Sequence, residues 1–250
     1  GGGNYIESTL GFTGQGVRAE VFDSELRNTH QEFTTITPVS HSGGFGNPAN
    51  PHGSSTYGIM FARGASANAR GMLPNAAEGY YYDYTASTQF GGAVTRLSAN
   101  QQLVNPALTF QCVLQTSSIG STQITTYSTI SAEVDDYLYQ TGLLSTQSQS
   151  NTSNNNSRPQ AWAKNIVSVG AVNHFNTLSR ADDQWPSTAA SCGSGGSASI
   201  GPAADGRIKP DLCFFYDCMF TTDNTSNTSY TEFGGTSGAT PSTGGYFGLF

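Results

Sequence analysis

Apolar positions along this 250-residue chain fall into short runs bounded by Gly, Pro, Asn and Ser, with helical spacing in between. Runs of that kind predict strands, and apolar residues three and four apart predict helices. Residues 14–23 form a glycine turn feeding a short strand that ends at Asp23. Residues 41–51, rich in Gly, Pro and Asn, predict a loop stopping just before His52, with a helix over 54–64 behind it. Residues 79–84 and 108–116 are further strand candidates, and 165–172 is an apolar strand. Within 131–139, Val134, Tyr137 and Leu138 lie at helical spacing. Residues 148–157 predict a polar, Asn-rich loop, and no internal repeat is present. Strands alternating with helices predict an α/β domain on a mainly parallel sheet. In such sheets the chemistry sits at the carboxyl ends of the strands, which draws attention to the loops carrying Asp23, His52 and Ser237.

Composition narrows the classes. Charged residues are only 11% and the formal net charge is −7, so the chain lacks the basic face that nucleic acid requires. No apolar run approaches about 18 residues, so no membrane span is expected. The opening Gly1-Gly2-Gly3-Asn4 has neither the basic start nor the apolar run of a signal peptide. Low charge with abundant Ser, Thr and Asn suits a secreted protein, a setting that permits disulfides. The spacing of Cys112, Cys192, Cys213 and Cys218 is not that of a zinc site. Cys213 and Cys218 are close enough in sequence to close a short loop; buried free thiols are the alternative.

The segment Gly234-Gly-Thr-Ser-Gly-Ala-Thr-Pro241 crowds small residues around one serine. Ala239, Thr240 and Pro241 are expected to open a helix, because proline is tolerated in a first turn. Ser237 would then sit at a helix N-terminus, where free N–H groups stabilise a developing oxyanion. His52 follows a long loop and precedes small residues, framed by Gly53 and Gly58. His30, His41 and His174 lack such a setting and are taken as structural. Asp23 ends an apolar strand, and a buried carboxylate needs a partner, for which an imidazolium is suited.

In chain order the three are Asp, His and Ser. The chain here resembles the subtilisin-like serine peptidases (subtilases). That family carries an Asp-Thr/Ser-Gly box, a His-Gly-Thr-His box and a Gly-Thr-Ser-Met-Ala-Thr/Ser-Pro box. The corresponding segments are Asp23-Ser24-Glu25, His52-Gly53-Ser54-Ser55 and Gly235-Thr236-Ser237-Gly238-Ala239-Thr240-Pro241. Asp205-Gly-Arg-Ile-Lys-Pro-Asp211 and Trp162-Ala-Lys-Asn-Ile-Val-Ser-Val-Gly-Ala171 also resemble family blocks, closest to the alkaline, oxidation-stable bacterial branch. The resemblance implies a three-layer fold with a mainly parallel central sheet flanked by helices. It implies Asp23, His52 and Ser237 as a catalytic triad. It also implies that residues 1–250 are a catalytic domain without propeptide or C-terminal part, since family members usually continue beyond the point matching Phe250.

Several positions depart from the family pattern. Glu25 replaces a glycine and Ser55 the second histidine. Gly238 replaces the methionine beside the nucleophile, from which tolerance to peroxide is expected. Cys213 to Cys218 stands where an Ala-Pro-Gly turn is usual. The family also supplies an asparagine side chain to the oxyanion site; alignment puts Asn151 there, preceded by Ser150 instead of glycine, with Asn154 and Asn155 as rivals. Ser118, Ile119 and Gly120 match the strand that pairs with the substrate backbone and lines the primary specificity pocket. The implied activity is endopeptidase hydrolysis of protein or peptide substrates through an acyl-enzyme, by a secreted monomer. No cofactor is required; structural calcium is common in the family, and its ligands are not assignable from the sequence. The competing readings are a catalytically silent peptide-binding module of the same fold, an acid-acting sedolisin and a structural surface protein. The His52 box speaks against the sedolisin, and the ordered triad against the surface protein.

Overall fold

A computed structural model describes residues 3–45, 49–85, 95–185, 192 and 197–250. Part of the predicted 41–51 loop, residues 46–48, lies outside them. After a helical turn α1 (Gly3–Tyr5), the chain lays down β1 (Arg18–Asp23), β2 (Val39–Ser40), helix α2 (His52–Phe61) and β3 (Glu78–Asp83). Helix α3 (Arg96–Val104), β4 (Leu114–Ser117), α4 (Thr129–Thr141), β5 (Leu144–Ser148) and β6 (Val167–Val172) follow. The chain ends with β7 (Leu212–Phe215), β8 (Met219–Thr222), β9 (Tyr230–Phe233) and α5 (Thr236–Gly248).

Seven strands form one parallel sheet in the order β2-β3-β1-β4-β5-β6-β7, and β8 pairs with β9 antiparallel beside it. Alternation along β1 assigns its two faces. Ala19 and Val21 join Tyr57, Met60 and Phe61 of α2 in one core cluster, whereas Phe22 packs with Tyr82 and Ala99 on the other face. Tyr137, Val134 and Leu138 of α4 pack with Leu103 of α3 on that second face. Helices thus cover both sides, the three-layer α/β arrangement expected of the subtilisin-like fold.

Three sequence expectations are corrected. The strand predicted over 108–116 is extended only from Leu114 to Ser117, because Gln111 takes φ 46° and the preceding residues turn over α3. Helix α5 begins at Thr236, so Pro241 lies in its interior instead of its first turn. Polar burial holds several junctions. Lys209 donates to the Ile166 carbonyl (2.9 Å) and the Asp211 carboxylate (2.6 Å), which in turn accepts from the Ser168 N–H, tying the 205–211 block to β6. Glu20, fully buried on β1, bonds His41 Nδ1 (2.6 Å) and Gln115 Nε2 (2.7 Å). Cys218 pairs with Cys192; it does not close the short loop with Cys213 considered from sequence. Cys112 and Cys213 are free thiols, the first buried and the second exposed.

Candidate active site

Because the seven strands are parallel, β1, β4 and β5 deliver Asp23, the 118–120 segment and the 149–158 loop to one edge. Asp23 is fully buried. Its Oδ1 accepts from His52 Nδ1 and from the Ser24 N–H, both at 2.7 Å, and its Oδ2 accepts from Thr56 Oγ1 at 3.2 Å. These donors, with the Ser24 hydroxyl on Oδ1 at 3.4 Å as a fourth, satisfy a carboxylate that burial would otherwise penalise.

His52 is the first residue of α2, and its N–H donates to Asn50 Oδ1 at 2.9 Å. Glu25, which stands in the place of a family glycine, fixes that loop by accepting the Asn50 N–H at 3.0 Å. Gly53 is required: a Cβ there would run into the Tyr81 hydroxyl and the Ser24 carbonyl, so only glycine lets α2 approach β1 this closely. Ser55, in place of the second histidine, donates to the Thr222 carbonyl at 2.9 Å and anchors α2 on β8. The imidazole meets the Phe233 ring edge-on at 5.3 Å between centroids. Burial draws the His52 pKa down, but the charge and hydrogen bond of Asp23 overcome it, and the net shift is upward from 6.5.

Ser237 is the second residue of α5, and its side chain is half-buried. The turn before it passes through Gly235 at φ 75°, a backbone conformation that favours glycine. Proline at 241 has no N–H to give the Ser237 carbonyl four residues earlier. Ser118 supplies the missing donor: its Oγ donates to the Ser237 carbonyl at 2.8 Å. In return Ser237 Oγ donates to the Ser118 carbonyl at 3.4 Å. Among the described residues, the Ser237 hydroxyl forms no hydrogen bond with His52.

Asn151 lies against this turn. Its Oδ1 accepts from the N–H and the hydroxyl of Thr236, each at 3.0 Å, which leaves Nδ2 as a donor beside Gly235. Its rivals are elsewhere: Asn154 Oδ1 accepts from Thr152 Oγ1 (3.0 Å) within a surface turn, and Asn155 is exposed. Ser150 takes φ 120°, the left-handed region, where the family uses glycine. Ser118 is buried, and Ile119 packs on the Phe22 and Tyr82 cluster while lining a cavity of about 620 Å³ together with Gly120.

Met219 takes the space left empty at 238. A Cβ on Gly238 would collide with the Met219 methyl group, and Met219 Sδ lies 3.3 Å from that position. A thioether therefore adjoins the turn carrying Ser237 after all, supplied by β8, and the peroxide tolerance expected from Gly238 loses its basis. No sequence signal points to this contact, since the methionine is remote in the chain. The Ser118 contact is partly legible, because a proline four residues after Ser237 marks an unpaired carbonyl.

The remaining histidines are structural. His30 caps a 3-10 turn and bonds the Ser229 carbonyl, His41 pairs with Glu20, and His174 Nδ1 bonds Asp217 Oδ1 at 2.7 Å. Among the described residues no group of three or more His, Cys, Asp or Glu gathers as cation ligands. None of their helices is long and apolar enough to cross a membrane.

A family model described as the Subtilase family matches residues 14–250. No curated protein matches the sequence. Among solved structures, the prenylagaramide maturation protease PagA is similar with a TM-score of 0.70 at 16% identity, covering 99% of this chain and 79% of that one. Sphericase gives 0.65 at 18% identity, covering 99% and 82%. The patellamide maturation protease PatA gives 0.65 at 14% identity, covering 94% and 78%. At these identities the likeness is one of fold.

The Ser118 contact yields a stability prediction. Ser118→Ala leaves the half-buried Ser237 carbonyl without its protein donor, and is expected to cost about 1 kcal/mol. Urea unfolding of the two chains measures this; equal midpoints would remove the role assigned to Ser118.

Proposed function

Since the chain belongs to the subtilase family of serine proteases, we propose that it is an endopeptidase working through Asp23, His52 and Ser237 by way of an acyl-enzyme. The observation carrying this reading is the His52 Nδ1 hydrogen bond to the buried Asp23 carboxylate at the sheet edge where α5 presents Ser237. With its Nδ1–H committed to Asp23, the ring offers the Nε2 lone pair as base. Ser237 Oγ attacks the peptide carbonyl while His52 takes its proton and then passes it to the leaving amine. Asp23 stabilises the imidazolium formed in between. Asn151 Nδ2 and the Ser237 N–H donate to the oxyanion; a donor of this kind is worth on the order of 3 kcal/mol. Water, activated by His52, releases the acyl group.

The substrate is an extended protein or peptide segment pairing with Ser118, Ile119 and Gly120 as an added strand. The chemistry uses no cofactor. We infer a secreted monomer; the low charge and the Cys192–Cys218 disulfide support an oxidising compartment.

One observation favours a silent peptide-binding module instead: the Ser237 hydroxyl bonds Ser118 and not His52. A fluorophosphonate probe decides between the two. The enzyme reading expects labelling at Ser237 that His52→Ala abolishes; absence of labelling in the intact chain would leave the module.

The pH dependence follows from His52. The base must be neutral, and its pKa is raised, so kcat/KM should climb with pH through a value above about 6.5. Asp23→Asn should lower kcat by roughly 10⁴-fold, as loss of the orienting carboxylate does in such triads. A profile peaking near pH 3 is incompatible with this chemistry.

Mild peroxide is expected to reduce activity, with mass spectrometry placing the oxygen on Met219, because a polar sulfoxide would form against Gly238. Met219→Leu should keep activity under the same treatment. Equal losses in both chains would acquit Met219.

A further inference from the structure

The two walls of the cleft are residues 118–121, following β4, and the loop 149–158, closed on itself by the Arg158 N–H donating to the Gln149 carbonyl at 3.0 Å. Asn151 is on one limb of that loop and Arg158 on the other. The Arg158 side chain reaches from the second wall to the first. Its Nη1 donates to the Gly120 carbonyl at 2.9 Å and the Ser121 carbonyl at 3.1 Å. Both acceptors are neutral, so among the described residues this cation is hydrogen-bonded but has no counter-ion. It belongs to none of the six ion pairs formed among them. Its Nε is buried and finds no hydrogen-bond partner among the described residues.

A half-buried charge without a counter-ion is costly, and a buried N–H without an acceptor adds to that cost. Desolvation accordingly lowers the Arg158 pKa, and the charge is felt at His52 and at Tyr84 on the cleft rim. A substrate carboxylate meeting the accessible part of the guanidinium would supply the missing counter-charge. The acidic groups nearby do not serve. Glu133 and Asp136 border the 620 Å³ cavity but belong to α4, whose outer face is screened by water. Arg96 also borders that cavity with an unpartnered Nε, although its guanidinium is stacked over Phe22 and bonded to Gln115.

Resting on the protease reading, we propose that Arg158 is a specificity-determining residue that selects substrates with Glu or Asp at the position whose carbonyl is attacked. The side chain at that position enters between the two walls that Arg158 bridges. The net charge of −7 repels acidic substrates at long range, so the preference is local and depends on this one side chain.

The test is cleavage of a mixed peptide library by the intact chain, read by mass spectrometry, followed by paired peptides differing only by Glu against Gln at that position. The expected result is enrichment of cleavage after acidic residues and a kcat/KM for Glu about tenfold or more above Gln. Arg158→Gln should bring the ratio near one, and Arg158→Lys should keep part of it. The ratio is internal to each variant, so a general loss of activity does not imitate the effect. Cleavage without acidic preference, or a preference that survives Arg158→Gln, would overturn the proposal while leaving the protease reading intact. If no peptide is cleaved, the protease reading fails separately. Calorimetry on Ser237→Ala with C-terminally amidated Glu and Gln peptides then decides the role of Arg158: tighter binding of Glu, lost with Arg158→Gln, supports it, and equal binding refutes it.

Discussion

A carboxylate with no exposed surface must be surrounded by donors, and the site is organised around meeting that demand at Asp23. Two of its donors, the His52 ring and the Thr56 hydroxyl, lie on α2, so the first turns of that helix are bound to the end of β1. The absence of a side chain at 53 brings the helix close enough, and Asn50 with Glu25 holds the entering loop. The same contacts that make the buried charge tolerable therefore fix which histidine nitrogen is protonated and where it sits. Stability and chemistry draw on one set of hydrogen bonds, and a change to any member disturbs both.

The departures from the family boxes look like losses in the sequence but are connected in the folded chain. Glu25 stands where a glycine is usual and bonds the backbone of the loop before His52. Ser55 stands where a histidine is usual and bonds β8. Glycine at 238 makes room for Met219, carried by that same strand just after the Cys192–Cys218 disulfide. The β8–β9 ribbon thus acts as a shared support: α2 leans on it through Ser55, Thr221 and Thr222, and the start of α5 leans on it through Met219.

How far the sequence reveals this depends on whether a feature is local. The strand ending at Asp23, the helix at His52 and the small-residue turn at Ser237 are contiguous motifs, and their chain order is readable. Strand β5 is not readable as a strand. Its segment Leu-Ser-Thr-Gln-Ser is mostly polar, and it is buried because Thr146 bonds Thr116 and Gln147 bonds the Ile119 carbonyl across the sheet. Those partners lie far away in the chain, so no local pattern predicts the burial. Helix α3 and the β7–β9 region escape for related reasons. The polar run of α3 has little apolar periodicity, and β8 and β9 gain their place from contacts with α2 and α5. The disulfide partner of Cys218 is equally hidden, because proximity in sequence favours Cys213.

The exchange of hydrogen bonds between Ser118 and Ser237 has a consequence for the order of events at the site. The Ser237 hydroxyl rests on the Ser118 carbonyl through a long bond of 3.4 Å. That carbonyl belongs to the segment on which an incoming strand would align its own N–H groups. On the protease reading proposed above, a well-directed N–H of that strand would compete for the acceptor, and the displaced hydroxyl would then be free to rotate about its Cα–Cβ bond. The Ser237 hydroxyl is thus held in a resting rotamer that a peptide paired at Ser118 would release.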